Sequence, residues 1–484
     1  MRALGKRAGG HRRLVSWRFR ALGGFGTPGP AQGAETSFMA IKVGLISLGC
    51  PKNTVDSETM LGRLQAAGME VCPDEDQADV LIVNTCGFKT DAVEESVRTL
   101  LESSEWKKKA NGRAVVAAGC LVQRYGQDLA TELPDVDAFV GVGQYDGLAE
   151  QVQSILGQPA APQLLQIGPP RAIPHVQGPR VRSTPPWTAY VRISDGCDYR
   201  CSFCTIPGLR GDHASRPIEA IVAEAEKLAA EGVKEIVLVA QDSMRYGWDL
   251  YRTLALPKLL RALAKVDGIQ WIRIMYAYPA TVTDTVIAAI AEEPKVCKYL
   301  DIPLQHADRG VLKAMNRPGD GDKYLRILER FRAACPDISV RSTFIVGHPG
   351  ETPEAFRALK AFLRSAELDR VGVFTYCRED GTPSGEMPDQ VPTRVARARR
   401  DELMKWQAGI SRRKNKRRVG ETLDVLVEKE TAAGHYVGRS YRDAPEIDGT
   451  VAFTASAAVP GDIVPVRITD SDVYDLSGCA IDER

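Results

Sequence analysis

The chain has 484 residues, 44% hydrophobic and 26% charged, with a formal net charge of +1. That length allows roughly two to four domains, and the composition is that of a soluble globular protein. No apolar run approaches the roughly 18 residues of a membrane span, and the balanced charge does not mark a nucleic-acid binder. Eleven cysteines are too sparse for a disulfide scaffold, and no secretory signal precedes them. In a reducing cytoplasm they read first as metal or catalytic ligands.

Residues 1–38 carry seven Lys/Arg and a single acid, Glu35, unlike the rest of the chain. A transit peptide has this composition, and so does a disordered extension or a start assigned upstream of Met39. From residue 41, "IKVGLISLGC", "ADVLIVNTCG", "RAVVAAGC" and "VDAFVGVG" alternate with amphipathic stretches such as "TVDSETMLGRLQAAG". Near-continuously apolar strands separated by helices predict a doubly wound parallel sheet over 41–157. Residues 158–184 are Pro/Gly-rich and aperiodic, a linker.

A second alternating series fills 185–413. Its strands "WTAYVRI", "KEIVLVA", "QWIRIMY", "KYLDIPL", "ISVRSTFI" and "RVGVFTY" make six βα units, a partial barrel rather than a full eightfold one. A basic helix ends this part. From 414 to 484 the helical period gives way to short alternating strands with Gly-rich turns, a small antiparallel β-barrel of OB-like outline.

"SDGCDYRCSFCTIPGLRG" places Cys197, Cys201 and Cys204 at C-x3-C-x2-C spacing directly after the first barrel strand, where parallel α/β folds carry their active loops. Three thiolates can hold three irons of a 4Fe–4S cluster and leave the fourth without a protein ligand. Structural zinc takes four ligands, and His213 is the only nearby candidate for a fourth. Cys50, Cys86 and Cys120 each end an apolar strand of the N-terminal sheet. If those strands are parallel neighbours, the three sulfurs emerge at one edge and can ligate a second cluster; the alternative is three buried core cysteines. Cys72, Cys297, Cys335, Cys377 and Cys479 show no such register.

The cysteine motif, with Phe203 before its last cysteine, resembles the radical S-adenosylmethionine superfamily. There the open iron is chelated by S-adenosylmethionine, which is cleaved to a 5′-deoxyadenosyl radical. The resemblance implies that Gln241, Asp242 and Gln305 line the cofactor pocket. Gly347 and Gly350 would let backbone approach the adenosine closely.

Two tri-cysteine domains followed by a small barrel resemble the methylthiotransferases, which join an auxiliary-cluster domain, a radical barrel and a TRAM domain. "SLGCPKNTVDSE" and "GRSYRDAPEIDG" are similar to the RimO branch, which methylthiolates the β-carbon of an aspartate in ribosomal protein S-twelve; the transfer-RNA branch typically reads "GCQMN" where this chain has "GCPKN". The resemblance implies two 4Fe–4S clusters, S-adenosylmethionine, and an electron donor such as flavodoxin or ferredoxin. Cys377 stands where the family commonly shows serine.

Charge bears on the choice between protein and RNA. Residues 421–484 hold 13 Asp/Glu against 5 Lys/Arg, unsuited to a phosphate backbone and suited to a basic ribosomal protein. Asp443, Glu446 and Asp448, crowded into one short loop with Pro445, are not expected all to pair within the protein and are expected to meet the substrate, unless the loop is a solvated turn. The basic run at 412–418 points the other way, to RNA contact, unless it is a solvated helix end. A non-catalytic iron–sulfur protein that binds RNA or transfers electrons is the contrasting class, but it needs no cofactor loops.

Overall fold

The computed structural model describes residues 40–157, 162–170 and 178–481. The extension at 1–38 and parts of the 158–184 segment lie outside the described residues.

Strands β1 (Lys42–Ser47), β2 (Glu70–Val71), β3 (Val80–Thr85), β4 (Ala114–Gly119), β5 (Ala138–Val140) and β6 (Leu164–Gln166) form one parallel sheet in the order β2-β1-β3-β4-β5-β6. Helices α1 (Pro51–Ala66), α2 (Thr90–Lys107), α3 (Cys120–Glu132) and α4 (Leu148–Gly157) cover both faces. Because side chains alternate along a strand, Val80 and Ile82 pack with Met60 and Leu64 of α1 and Val152 of α4. Leu81 and Val83 pack on the other face with Leu100 of α2 and Leu121 of α3. Two strands escape sequence reading. β2 has two residues, and β6 lies inside the stretch read as linker, where it pairs with β5 as the sheet's edge. The N-terminal domain therefore reaches Gln166 rather than ending at 157. A three-residue, half-buried edge strand carries no periodicity to read.

In the central domain β7 (Thr188–Arg192) is followed by a two-residue ladder of β8 (Ser194–Asp195) with β9 (Ala214–Ser215), which closes the base of the cysteine loop. β10 (Glu235–Val239), β11 (Trp271–Ile274), β12 (Tyr299–Asp301), β13 (Ser339–Val346) and β14 (Arg370–Thr375) complete two parallel three-stranded sheets, β11-β10-β7 and β12-β13-β14. They are joined where Ile272 bridges Val296, giving the expected six-strand partial barrel. One strand face (Ala189, Val191, Ile236, Leu238) meets the surrounding helices. The other (Tyr190, Val237, Val239, Tyr299) meets Val55 of α1 and Leu426 and Ala444 of the C-terminal domain. Both flanking domains thus pack into the concave side.

The long helix Thr393–Lys416 aligns Gln407, Ser411 and Asn415 on one face. They bond the Leu368, Asp369 and Asp472 carbonyls at 2.8, 2.8 and 3.3 Å. After it, β15 (Thr422–Ala432), β16 (His435–Ser440), β17 (Val451–Thr454), β18 (Ile463–Ser471) and β19 (Leu476–Ala480) close a barrel in the order β15-β16-β17-β19-β18. One pair, β17 with β19, is parallel, so the barrel is not wholly antiparallel. It sits against the starts of the central strands: Glu235, Tyr299, Ser339 and Arg370, the first residues of β10, β12, β13 and β14, all bond it. The cysteine loops lie at the opposite, C-terminal ends.

Candidate active site

Cys197, Cys201 and Cys204 occupy the loop between β8 and the short helix α5 (Ile206–Arg210). The Cys197 amide bonds the Gly211 carbonyl at 2.9 Å, and the Ser202 amide bonds Met315 at 3.0 Å, so backbone pins the loop at both ends. Tyr199 stacks on Tyr278 at 3.9 Å. Arg317, itself 4.4 Å above the Tyr278 ring, donates to the Cys201 sulfur at 3.6 Å. Burial pushes the Cys197 thiol up to about 11 and the Cys204 thiol up to about 12. Such thiols stay protonated at neutral pH unless a cation takes them as thiolates. His213 is not positioned as a fourth ligand, since its Nε2 faces Ser215 at 3.1 Å and Asp249 at 3.7 Å. Among the described residues no three His, Cys, Asp or Glu side chains converge on a single ion. Three thiols on one backbone-pinned loop fit a multi-iron cluster, in which each would bind a different iron.

The second triad forms as the strand register demands. β1, β3 and β4 are adjacent, Ser47 pairs with Asn84 and Thr85 with Gly119, and Cys50, Cys86 and Cys120 follow at the common edge. Cys50 caps α1 and Cys120 begins α3, so two helix N-termini turn amide groups and positive dipole ends toward the site. Gly49, at φ +96°, leaves no room for a side chain: a Cβ there would stand 2.9 Å from the Cβ of Cys86. Asn53 ties the edge together, donating to the Leu48 and Thr85 carbonyls at 2.9 and 3.0 Å. Burial raises the Cys86 thiol, and raises Cys120 to about 12. Burial acts on Cys50 too, but the Lys52 and Arg210 charges and the amides of Asn53 and Lys52 outweigh it and hold this thiol below its ordinary value.

The two triads are joined by a buried ring of charges. Arg192 pairs with Asp56 and, at 2.8 Å, with Asp195; Arg210 pairs with the same two acids at 2.8 and 3.0 Å. Asp56 belongs to α1 and the other three to the central domain. Arg210 also reaches Asn53 at 2.7 Å and the Cys120 sulfur at 3.6 Å. On the far side Asp195 accepts from Gln241 at 2.9 Å. Burial would raise the Asp195 carboxyl, but Arg210 and Arg192 hold it down at about 2. Nothing in the sequence marks this ring of four charges, although Asp56, Asp195 and Arg210 stand within the quoted motifs.

Of the residues expected around S-adenosylmethionine, Gln241 and Gln305 each bury a side-chain oxygen that has no protein partner, and so does the Tyr278 hydroxyl. Three orphaned polar atoms on loops after β10, β11 and β12 suit a polar ligand at the barrel mouth. Asp242 differs. Its carboxylate accepts from Tyr199, Thr281 and the Met244 and Tyr278 amides, so it organises the pocket walls; burial pushes it up to about 6 against those bonds. Gly347 has φ +82°, and a Cβ would lie 2.4 Å from Ala396 of the long helix, so the close approach there is helix packing. Gly350, at φ +78°, faces open space. Beside Cys201 and Cys204 a cavity of about 420 Å³ opens between the cysteine loop, Gln123 and Arg124 of α3, and Gly381.

The expectation for the acidic loop fails. Asp443 is buried and accepts from Arg370 at 2.8 Å and Ser440 at 2.9 Å. Asp448 accepts from Tyr299 at 2.6 Å and lies 3.5 Å from Arg341. Both acids belong to the seam with the central domain and are not available to a substrate; Glu446 is exposed at φ +67°. The basic run 412–418 is likewise largely paired: Arg412 faces Asp472, Lys414 Asp369, Arg417 Glu367, and Arg418 both Asp337 and Glu421.

A partial parallel barrel with C-x3-C-x2-C at the mouth of its first strand defines a radical S-adenosylmethionine enzyme, and the radical SAM superfamily matches residues 191–363. The uncharacterized protein family UPF0004 matches 42–141 and the TRAM domain 419–481. The chain is 50% identical to the ribosomal protein uS12 methylthiotransferase RimO of Symbiobacterium thermophilum, over 92% of each chain. It is 48% identical to the RimO of Geobacter sulfurreducens, over 90% of this chain and 98% of that one. The chain belongs to the RimO family of radical S-adenosylmethionine methylthiotransferases. Among solved structures, the radical S-adenosylmethionine methyltransferase TsrM of Kitasatospora setae, with tryptophan and a cofactor analogue bound, aligns at TM-score 0.53 and 14% identity over 81% of this chain and 79% of that one. That likeness is one of fold.

Proposed function

We propose that this enzyme inserts sulfur and a methyl group at the β-carbon of an aspartate in ribosomal protein uS12, the S-twelve protein of the small subunit, in the cytoplasm. The observation that carries the reading is the buried ring: through Arg210 and Asp195 it ties the loop that bears the Cys197–Cys204 triad to the edge that bears Cys50, Cys86 and Cys120. When bound, a 4Fe–4S cluster on Cys197, Cys201 and Cys204 supplies the electron that cleaves S-adenosylmethionine, and a second on Cys50, Cys86 and Cys120 supplies or carries sulfur. The chain's own residues do the rest. Gln241 and Gln305 turn free oxygens toward the cofactor, Asp242 fixes Tyr199 and Thr281 around it, and α1 closes the barrel mouth over the reacting carbon. An acidic electron carrier of the flavodoxin or ferredoxin kind would reduce the first cluster.

A transfer-RNA substrate is the less favoured reading, because the C-terminal barrel is acidic and the basic run beside it is largely paired with acids. Mass spectrometry of uS12 incubated with reconstituted enzyme, S-adenosylmethionine and reductant tests the proposal. A mass gain of about 46 on one aspartate, for CH3S replacing H, is the expected result; an unmodified uS12 alongside a modified transfer RNA would overturn it.

A further inference from the structure

Lys52 follows Cys50 and Pro51 at the start of α1, and its side chain enters the barrel mouth. Its Nζ donates to the Ala240 carbonyl at 3.2 Å, immediately before Gln241, and stands 3.5 Å over the Tyr276 ring. It therefore lies between the two triads, at the ends of β10 and β11. Tyr276 is held in place for this role: its backbone has φ +64°, a costly conformation for an aromatic residue, and its amide is fixed by Asp301 at 3.0 Å.

The ammonium is short of a partner. Among the described residues no carboxylate pairs with it, and of its three N–H groups one has a carbonyl acceptor. The acids nearby are committed elsewhere, Asp195 to Arg192 and Arg210, and Asp301 to Arg341 at 2.8 Å. Besides these acids the charge of Lys52 acts on the Cys50 thiol, which belongs to the cysteine edge and accepts no hydrogen bond from it among the described residues. A buried ammonium with two N–H groups left without an acceptor is costly, and an incoming acceptor of negative charge would satisfy them.

We infer that Lys52 grips the carboxylate of the acceptor side chain and so determines specificity for an acidic residue. This rests on the function proposed above, in which the substrate brings a single carboxylate next to the reacting carbon. Held by Nζ over the Tyr276 ring, that carboxylate presents the adjacent β-carbon to the barrel mouth on one side and to the Cys50 edge on the other.

The test is a double-mutant cycle between reconstituted enzyme and purified uS12, read as anaerobic binding affinity together with iron content. Changing the acceptor aspartate to asparagine, or Lys52→Met in the enzyme, should each weaken binding by at least about tenfold, as close buried charge pairs do. Together they should weaken it no further. Lys52→Arg should keep the preference for the acidic acceptor. Losses that multiply in the double variant would overturn the inference, as would a Lys52→Arg enzyme that binds both acceptors equally. Multiplying losses accompanied by iron loss would assign Lys52 to the cysteine thiolates instead. Wild-type enzyme that leaves uS12 unmodified while binding it with the expected coupling would overturn the proposed reaction and keep the carboxylate site.

Discussion

The Arg210 guanidinium, on the helix that follows Cys204, lies 3.6 Å from the sulfur of Cys120 in the other domain. One side chain therefore touches the auxiliary edge while its own backbone continues the radical-site loop. Arg210→Met should leave Asp56 and Asp195 sharing Arg192 alone and cost about 3–5 kcal/mol, the scale of a broken buried pair. The measurement is the urea midpoint. Arg210→Lys should recover only part, because an ammonium cannot reproduce the fork that serves two acids at once. A midpoint unchanged in Arg210→Met would mean that the ring contributes no stability.

Changing Cys197, Cys201 and Cys204 together to alanine should lower the iron of anaerobically reconstituted protein from about eight to about four atoms, two clusters of four being the family pattern. Deoxyadenosine formation should vanish. Continued cofactor cleavage by that variant would displace the radical site from this loop.

The triple alanine variant of Cys50, Cys86 and Cys120 should also hold about four irons, since alanine offers no ligand. Deoxyadenosine should still form while no methylthio group reaches uS12. Product formation at the wild-type level would reduce these cysteines to packing.

Glu235 gives a pH dependence whose sign follows from its neighbours. Burial alone would raise its carboxyl, but Arg439 and Arg273 outweigh it and hold it at about 2, with Nη2 of Arg439 at 2.7 Å and Nε of Arg273 at 2.8 Å. A carboxylate depressed in the folded state contributes stability above its unfolded value of about 4.3, and loses it as pH falls toward 2. Glu235→Gln should therefore lower the urea midpoint at pH 7, on the scale of about 3–5 kcal/mol, and flatten its decline between about pH 5 and 3. An identical acid limb in wild type and variant would contradict the assignment.

Sequence reading found the parts whose logic is periodic. Strand ends recur, so the sequence places Cys50, Cys86 and Cys120 at one edge, and the C-x3-C-x2-C loop carries its own chemistry. What stayed hidden depends on partners distant in the chain. Asp443 looked free because Arg370 lies 73 residues away, and Asp448 because Tyr299 lies 149 away. Lys52, Asp56 and Arg210 stood in quoted motifs, yet a single charged residue says nothing of its direction until α1 is laid across the barrel mouth. Gly347 is a related case. A glycine demanded by Ala396 and one demanded by a ligand have the same letter.

The placement of the small barrel against the strand starts sets a reach. β13 runs eight residues from Ser339, which bonds Arg442, to Val346 beneath the mouth loops, roughly 23 Å for seven steps of about 3.3 Å. A partner bound on the barrel would be held at least that far from the carbon to be modified. A folded protein would then span the barrel and the mouth together, whereas a short peptide carrying the same aspartate would reach only one of them.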